Sequence, residues 1–491
     1  MSGQPLKSQV LRGAFWSFTE NVALQGLTFI IFVVLARLLD PVVFGLLATA
    51  SLFVQLFKAT VCDSIATAVV SKADPTDEDY STAFLLTVAL SIPAFLILLL
   101  AAGLIASAFG TPSLAGVLQG VGVMLVFNGL SRTHEAWLTR HLQFKSLALR
   151  STIATTAGGV VGIILASLGQ GVLSLVLQQV TLSLVSLMTL WTVTKWRPKL
   201  QFSPASALYI YRYSRHVAIT GVTNFVNQSS DVFFITYFLG PASAGIYSAG
   251  KRILTAINAV FAGALQRIAL PAFAEVQREP ARMSRAFLEA VAITATVTAP
   301  IFAGLICLSD DLTRVLLGEK WMAASPIMAI LSVTGFIQSL GYYNHSVMLA
   351  NGKPHWQTKL TLLYAVTNVL AFLCVASYGL VAVAAAFTIR MVVLYPISIG
   401  LAVRLLPISW WSYLKAILPS LFCATLMSLC VIAARSQLSF LTEWEKIAVL
   451  VPLGAVVYCG SIAAVARSEM ARVFAMLRLL SGKALAGSSG A

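Results

Sequence analysis

Four cationic side chains stand inside long apolar runs: Lys58, Lys251, Arg252 and Arg390. A charge at the centre of a bilayer costs roughly 2.5–3.5 kcal/mol on insertion scales, so each of them needs an aqueous cavity or a partner. Arginine grips phosphate oxygens through paired hydrogen bonds and lysine adds a compact positive charge, so the set suits a ligand with several phosphate oxygens. The competing reading is that each cation neutralises a nearby acid or reaches back to the interface. Two acids stand at matching places, on the apolar runs that open each half of the chain. Glu20 lies beside Asn21, and Asp231 follows Asn224, Asn227 and Gln228. The spacing from Asn224 to Gln228 to Asp231 holds those three on one helical face. A carboxylate in such a polar stripe can take up a proton or a sodium ion and couple it to a change of shape. Structural ion pairs, Asp231 with Lys251 and Glu20 with Lys58, are the alternative. Asp63 lies near enough to a span end to be solvated.

Those side chains must be carried by membrane-spanning helices. The 491 residues are 58% apolar and only 10% charged, with mean hydropathy +0.87, which points to an all-α integral membrane protein. A span needs roughly 20 apolar residues, and such runs leave no stretch with the composition of a soluble domain. The N-terminus, MSGQPLKSQVLRGAFW, has no short apolar core with a small-residue cleavage site, so no removable signal peptide is expected. A net charge of +15 would suit nucleic acid, but the basic residues fall between the apolar runs rather than on one patch, and membrane topology accounts for them. Cys62, Cys307, Cys374, Cys423, Cys430 and Cys459 lie within the apolar runs without CxxC or Cys/His spacing. They read as core or lipid-facing residues. His134, His141, His216 and His355 likewise lack metal-ligand spacing. Neither a metal nor a cofactor is expected.

Fourteen spans follow from the apolar runs, near 14–37, 41–66, 82–107, 114–132, 147–168, 171–194, 214–239, 243–268, 286–309, 324–350, 357–377, 379–403, 411–434 and 444–466. A polar joint, KWRPKLQFSPAS, fills 195–206. The expected organisation is an N-terminal lobe over 1–198, a C-terminal lobe over 199–405, a helix pair over 406–466 and a basic tail over 467–491. Alternating the loops puts 24 of the 33 basic residues on the side of both termini. Five lie opposite (Arg37, Arg314, Lys320, Arg435, Lys446), and the four opening cations lie within spans. The positive-inside rule then makes both termini cytoplasmic. The segments 131–150 and 270–287 read as basic helices lying at the interface, and the tail, with Met470, Val473, Phe474 and Leu477 at helical spacing, as a helix on the inner leaflet. Asp310-Asp311 reads as an outside turn, Gly158-Gly159 and Gly162 as sites of close helix packing, and Asn344-His345 as a packing pair. Trp137, Trp196, Trp410 and Trp411 read as interfacial belt residues.

One stretch recurs. LARLLDPVVFGLLATA at 35–50 returns as TYFLGPASAGIYSAG at 236–250, an offset of 200 that lays Pro41 on Pro241 and Gly45 on Gly245. Six spans separate the copies, so the repeat is parallel, and two six-helix lobes are expected about an axis along the membrane normal. A cavity between such lobes would open to either side as they rock. Lys58 matches Asn258 in the second copy, so the charge does not repeat with the turn.

The motifs GAFWSF at 13–18, LARLLDPVVFGLLA at 35–48, LTRHLQFKSLAL at 138–149, FLGPASAGIYSAGKRI at 238–253 and LPAFAEV at 270–276, in this order, resemble the Wzx-like polysaccharide exporters of the MOP flippase superfamily. No single motif is specific; the ordered set, over about 8–400, is. The resemblance implies a MATE-like fold and a bacterial inner-membrane transporter without enzymatic activity. Its cargo would be an undecaprenyl-diphosphate-linked oligosaccharide, turned from the cytoplasmic to the periplasmic leaflet by alternating access for exopolysaccharide, capsule or O-antigen. A polysaccharide polymerase and a chain-length regulator are the partners such a system implies. Lys58, Lys251, Arg252 and Arg390 would meet the diphosphate, Asp231 and Glu20 would couple an ion, and Asn21, Asn224, Asn227 and Gln228 would line the cavity.

Two other classes compete. A cation-coupled exporter of drugs or small solutes, of the multidrug-extrusion branch, predicts a cavity dominated by acids, whereas here the cations inside spans outnumber the deep acids. A membrane polysaccharide polymerase would need a sizeable outside loop for its sugar chemistry, and the longest expected, near 309–323 and 435–444, are short.

Overall fold

The computed structural model describes residues 23–275, 279–438 and 440–466, with the side chains of 260–272 and 274–275 excepted. Within them every regular element is a helix, as lipid demands of a spanning chain that must satisfy its backbone internally. The elements are α1 (Ala23–Leu38), α2 (Pro41–Ser71), α3 (Asp77–Ala108), α4 (Leu114–Arg140), α5 (Phe144–Ser167) and α6 (Val172–Val193). A single helical stretch, Pro204–Glu275, is broken at Gly240 into α7 (204–239) and α8 (241–275). Then come α9 (Pro280–Cys307), α10 (Ser309–Leu316), α11 (Ser325–Ala350), α12 (Pro354–Val375), α13 (Leu380–Leu405), α14 (Trp410–Gln437) and α15 (Glu443–Val465). Twelve helices are long and apolar enough to span; dividing the one at Gly240 and adding the shorter apolar α1 accounts for fourteen apolar helices among the described residues.

Contacts divide the chain into two compact units: Met1–Ala249 with Thr361–Val383, and Gly250–Leu360 with Ala384–Ala491. In the first, Leu46, Ala50 and Val54 of α2 pack with Leu98 and Ala102 of α3 and with Leu118 and Val121 of α4. In the second, Phe287 and Val291 of α9 pack with Tyr343 of α11, Ile399 of α13 and Tyr413 of α14. Outward faces stay apolar: Leu96, Leu100 and Leu104 of α3 are exposed, as a lipid-facing stripe should be. Lipid tails remove most of the apolar driving force between helices, so small residues and polar pairs set the packing. Gly158 and Gly162 do so as expected: a Cβ at Gly158 would fall 2.7 Å from the Gln178 carbonyl oxygen, and one at Gly162 3.0 Å from the Gln178 Cβ.

The two copies of the repeated turn lie together in the first unit. At the first, Asp40 is an extended N-cap (φ −84°, ψ 155°) and Pro41 opens α2. At the second, Gly240 takes φ 82° and ψ 173°, so the glycine that replaces the aspartate is required by the backbone. Beyond the turns the helices touch through glycines. A Cβ on Gly45 would overlap the Pro241 carbonyl, and one on Gly245 would overlap the Pro41 carbonyl. Thr49 and Thr236 hydroxyls meet nearby at 2.8 Å, fully buried.

The joint at 195–206 is strapped onto the first unit. Thr76 caps α3 in a capping box with Asp79, and the Asp79 carboxylate also accepts from Lys72 Nζ at 2.7 Å and from the Ser206 hydroxyl at 2.6 Å. One turn on, Ser81 and Thr82 accept from the backbone amides of Lys199 and Ser203. Trp196 is buried against Tyr80 and His134 rather than standing in an interfacial belt. Sequence spacing put it at the interface; the strap carries it inward.

Candidate functional site

A cavity of about 180 Å3 opens within the first unit, among α2, α4, α5 and α6. Lys58, Arg132, Glu135 and Arg150 line it, together with the hydroxyl residues Ser183 and Ser186. Local geometry explains the convergence. Lys58 opens a π-helical turn, Lys58–Cys62, inserted in α2, a feature that recurs at functional sites because it re-aims side chains. Arg132 and Glu135 are three apart on α4, and so are Ser183 and Ser186 on α6, hence each pair shares a face. Arg150 comes from α5. Arg132 places one guanidinium nitrogen 2.7 Å from Asp63 and another 2.7 Å from Glu135, and Arg150 reaches the same Glu135 oxygen at 3.2 Å. Three cations against two carboxylates leave the group one net positive charge.

Two expectations are corrected here. The segment 131–150 does not lie along the interface: α4 runs on to Arg140, the chain turns at 141–143, and α5 begins at Phe144. Arg132 and Arg150 line the cavity, while Arg140 stays exposed. Asp63 is not merely solvated, since it pairs with Arg132. The sequence marked Lys58 but missed Arg132, Glu135 and Arg150, because 131–150 read as a basic helical segment lying at the interface. An acid and a base three apart, extending an apolar run, was the signal available.

The second unit holds Lys251, Arg252 and Arg390. Lys251 Nζ stands 5.9 Å and Arg390 Cζ 5.0 Å from the centre of one ring, Phe387, so two of the three lie against the same aromatic side chain. Arg252, next along α8, is exposed. Phe387 could not be singled out among apolar neighbours in the sequence.

Asp231 is buried on α7 and accepts from the Tyr247 hydroxyl of α8 at 3.0 Å and from the Val232 amide at 2.8 Å. Asn227, one turn earlier, accepts from Asn368 of α12 at 2.7 Å, with Asn368 fully buried. Asn224 and Gln228 are exposed, so the stripe grades from an open end to a closed one. Glu20 and Asn21 lie outside the described residues, as do the tail beyond 466 and part of 270–287. The described start of α9 buries Met283 and Phe287 in the core, so that part of 270–287 is not interfacial.

Elsewhere, Asp310-Asp311 opens the short helix α10 instead of a turn, and Arg435 pairs with Asp311 at 2.9 Å. Burial and a hydrogen bond with Glu443 hold the Asp311 carboxyl above the ordinary carboxylate range. Asn344 donates to Ser398 at 3.1 Å within the core. Trp410 and Trp411 are exposed as belt residues are.

Comparison with known proteins gives a consistent result. A model of a polysaccharide biosynthesis protein family matches residues 34–326. The succinoglycan biosynthesis transport protein ExoT of Rhizobium meliloti is 28% identical over 66% of this chain and 66% of its own length. The lipopolysaccharide biosynthesis protein WzxC of Escherichia coli is 24% identical over 71% of each. The teichuronic acid biosynthesis protein TuaB of Bacillus subtilis is 24% identical over 92% of this chain and 95% of its own. Among solved structures, the lipid II flippase MurJ in an inward closed conformation superposes with a TM-score of 0.73 at 14% identity, covering 94% of this chain and 99% of that one. A MATE transporter superposes at 0.58 and 16% identity, covering 82% and 99%. At such identities these last two speak for the fold.

Proposed function

The chain belongs to the polysaccharide biosynthesis protein family matched over 34–326, and from that premise we propose that it is a flippase for undecaprenyl-diphosphate-linked oligosaccharides. It carries them from the cytoplasmic to the periplasmic leaflet of a bacterial inner membrane, with both termini cytoplasmic, for exopolysaccharide, capsule or O-antigen. The relatives are named for succinoglycan transport and for lipopolysaccharide and teichuronic acid biosynthesis. Lobes over 1–198 and 199–405 supply alternating access, the pair over 406–466 flanks them, and a polymerase and chain-length regulator receive the product. The chain transports and does not catalyse.

The observation that carries this reading is the character of the polar groups on the spans. Lys251 and Arg390 each lie against the Phe387 ring, where an exporter of cationic drugs would place acids. Lys251, Arg252, Arg390 and Lys58 are the cations offered to diphosphate oxygens. Asp231 is the coupling acid, binding a proton or sodium ion in competition with its Tyr247 hydrogen bond; Glu20, with Asn21, has the same role on the first span, and Asn224, Asn227 and Gln228 give the ion polar passage. The experiment is direct: reconstitute the protein in liposomes with a fluorescent lipid-linked oligosaccharide and follow its transfer between leaflets. Transfer above empty liposomes is expected. Transfer of a cationic dye, with none of the lipid, would select the multidrug-exporter reading instead.

A further inference from the structure

We propose that the cavity of the first unit is a binding site for a phosphate-type oxyanion, and that Glu135 is a placeholder, filling in the empty site the position an oxygen of the ligand takes. The proposal deepens the flippase reading and rests on it for the source of the anion.

Two arginines from different helices converge on one atom. Arg132 Nη1 lies 2.7 Å and Arg150 Nη1 3.2 Å from the same oxygen, Glu135 Oε2. Planar guanidinium forks match carboxylate and phosphate oxygens alike, so the fork built for the glutamate also fits a phosphate. A purely structural pair within a bundle is best packed dry, with each lone pair satisfied. This one instead faces about 180 Å3 of open volume, roughly six waters' worth at ~30 Å3 each. The walls around that volume are polar. Lys58 adds a third cation, and the Ser183 and Ser186 hydroxyls offer donors to further oxygens. Asp63 holds the other side of Arg132 at 2.7 Å, so its guanidinium stays aimed when Glu135 leaves. Without Glu135 the three cations would repel one another; with it the site is stable, and the carboxylate oxygen takes the place of only one of a phosphate's several oxygens. A diphosphate brings more charge and more acceptors than the single carboxylate, and can displace it toward Lys58.

The test uses the full-length protein in nanodiscs and inorganic pyrophosphate followed by calorimetry. Glu135→Gln keeps the shape but removes the competing charge, and should bind pyrophosphate about tenfold tighter than the wild type. Arg150→Gln should lose at least about tenfold, and Lys58→Gln, which leaves the Arg132–Glu135 pair intact and guards against misfolding of the arginine variant, should also weaken binding. Equal or weaker binding by Glu135→Gln overturns the placeholder, and indifference to both Arg150→Gln and Lys58→Gln overturns the site. A second arm adds undecaprenyl diphosphate to the nanodisc. Competition with pyrophosphate makes the lipid headgroup the occupant. Binding that follows the variants but ignores the lipid upholds the site while separating it from the flippase reading, so the two fail independently.

Discussion

Gly45 and Gly245, 200 residues apart, close on each other's backbone: a Cβ built on Gly45 would stand 2.9 Å from the Gly245 amide nitrogen, and one on Gly245 3.0 Å from the Gly45 amide nitrogen. Each glycine also meets the carbonyl of the proline that opens the other's helix. The repeat is thus a reciprocal contact as well as a similarity, and neither helix can approach without both glycines.

Gly45→Ala and Gly245→Ala should each destabilise the protein by about 1–3 kcal/mol or more, the usual cost of overpacking. Gly103→Ala, where a Cβ would meet nothing within 4 Å, is the control. Thermal unfolding in one detergent checks it: the control should keep the wild-type midpoint while the two contact variants fall.

Gly240→Ala strains a different quantity. The residue sits at φ 82°, and a side chain in left-handed backbone costs about 1–2 kcal/mol. A lower unfolding midpoint than that of Gly304→Ala, which stands in open space within α9, is expected.

Removing Phe387 should tell cation positioning from bulk. Phe387→Leu keeps most of the volume but loses the ring face, worth about 0.5–2 kcal/mol per cation, so with two cations flipping should fall at least roughly fivefold while the folded yield holds. Lys251→Ala and Arg390→Ala should fall further. Full polymer export by all three at normal abundance would remove this cluster from transport.

Asp231→Asn should abolish the response of flipping to an imposed proton or sodium gradient. Tyr247→Phe removes the hydroxyl that donates to Asp231 at 3.0 Å and should leave the response in place but shift its midpoint. A gradient response unchanged in Asp231→Asn would assign coupling elsewhere.

Asp79→Ala strips Lys72, Thr76 and Ser206 of their shared partner. Losing hydrogen bonds to a charged group of this half-buried kind costs about 1.5–3 kcal/mol, and the joint at 195–206 should become the first site of protease cleavage. Wild-type cleavage kinetics there would mean that the Ser81 and Thr82 contacts suffice.

Much of this architecture was legible in the sequence because lipid leaves few choices. Apolar length set the helices, and Pro41 and Pro241 marked the turns. The kind of turn was not legible: Asp40 and Gly240 occupy one place in the repeat, but only backbone geometry separates an N-cap from a left-handed residue. The site divides in the same way. Lys58, Lys251 and Arg390 declared themselves as charges among apolar neighbours, whereas Arg132, Glu135 and Arg150 lay where the hydropathy fades and read as part of a basic helix at the interface. Phe387 and Tyr247 were invisible for the opposite reason, being apolar or aromatic in a chain full of such residues. Their roles depend on which helix faces them.

The π-helical turn at Lys58–Cys62 adds a residue to the winding of α2, while Asn258, at the matching place in α8, lies in unbroken α-helix. One residue is about 100° of rotation, so everything beyond the turn is swung around the axis relative to its counterpart. Asp63 stands at the end of that turn, paired with Arg132 at 2.7 Å. A duplicated helix, identical in its packing at Gly45, was thereby given a new face further along.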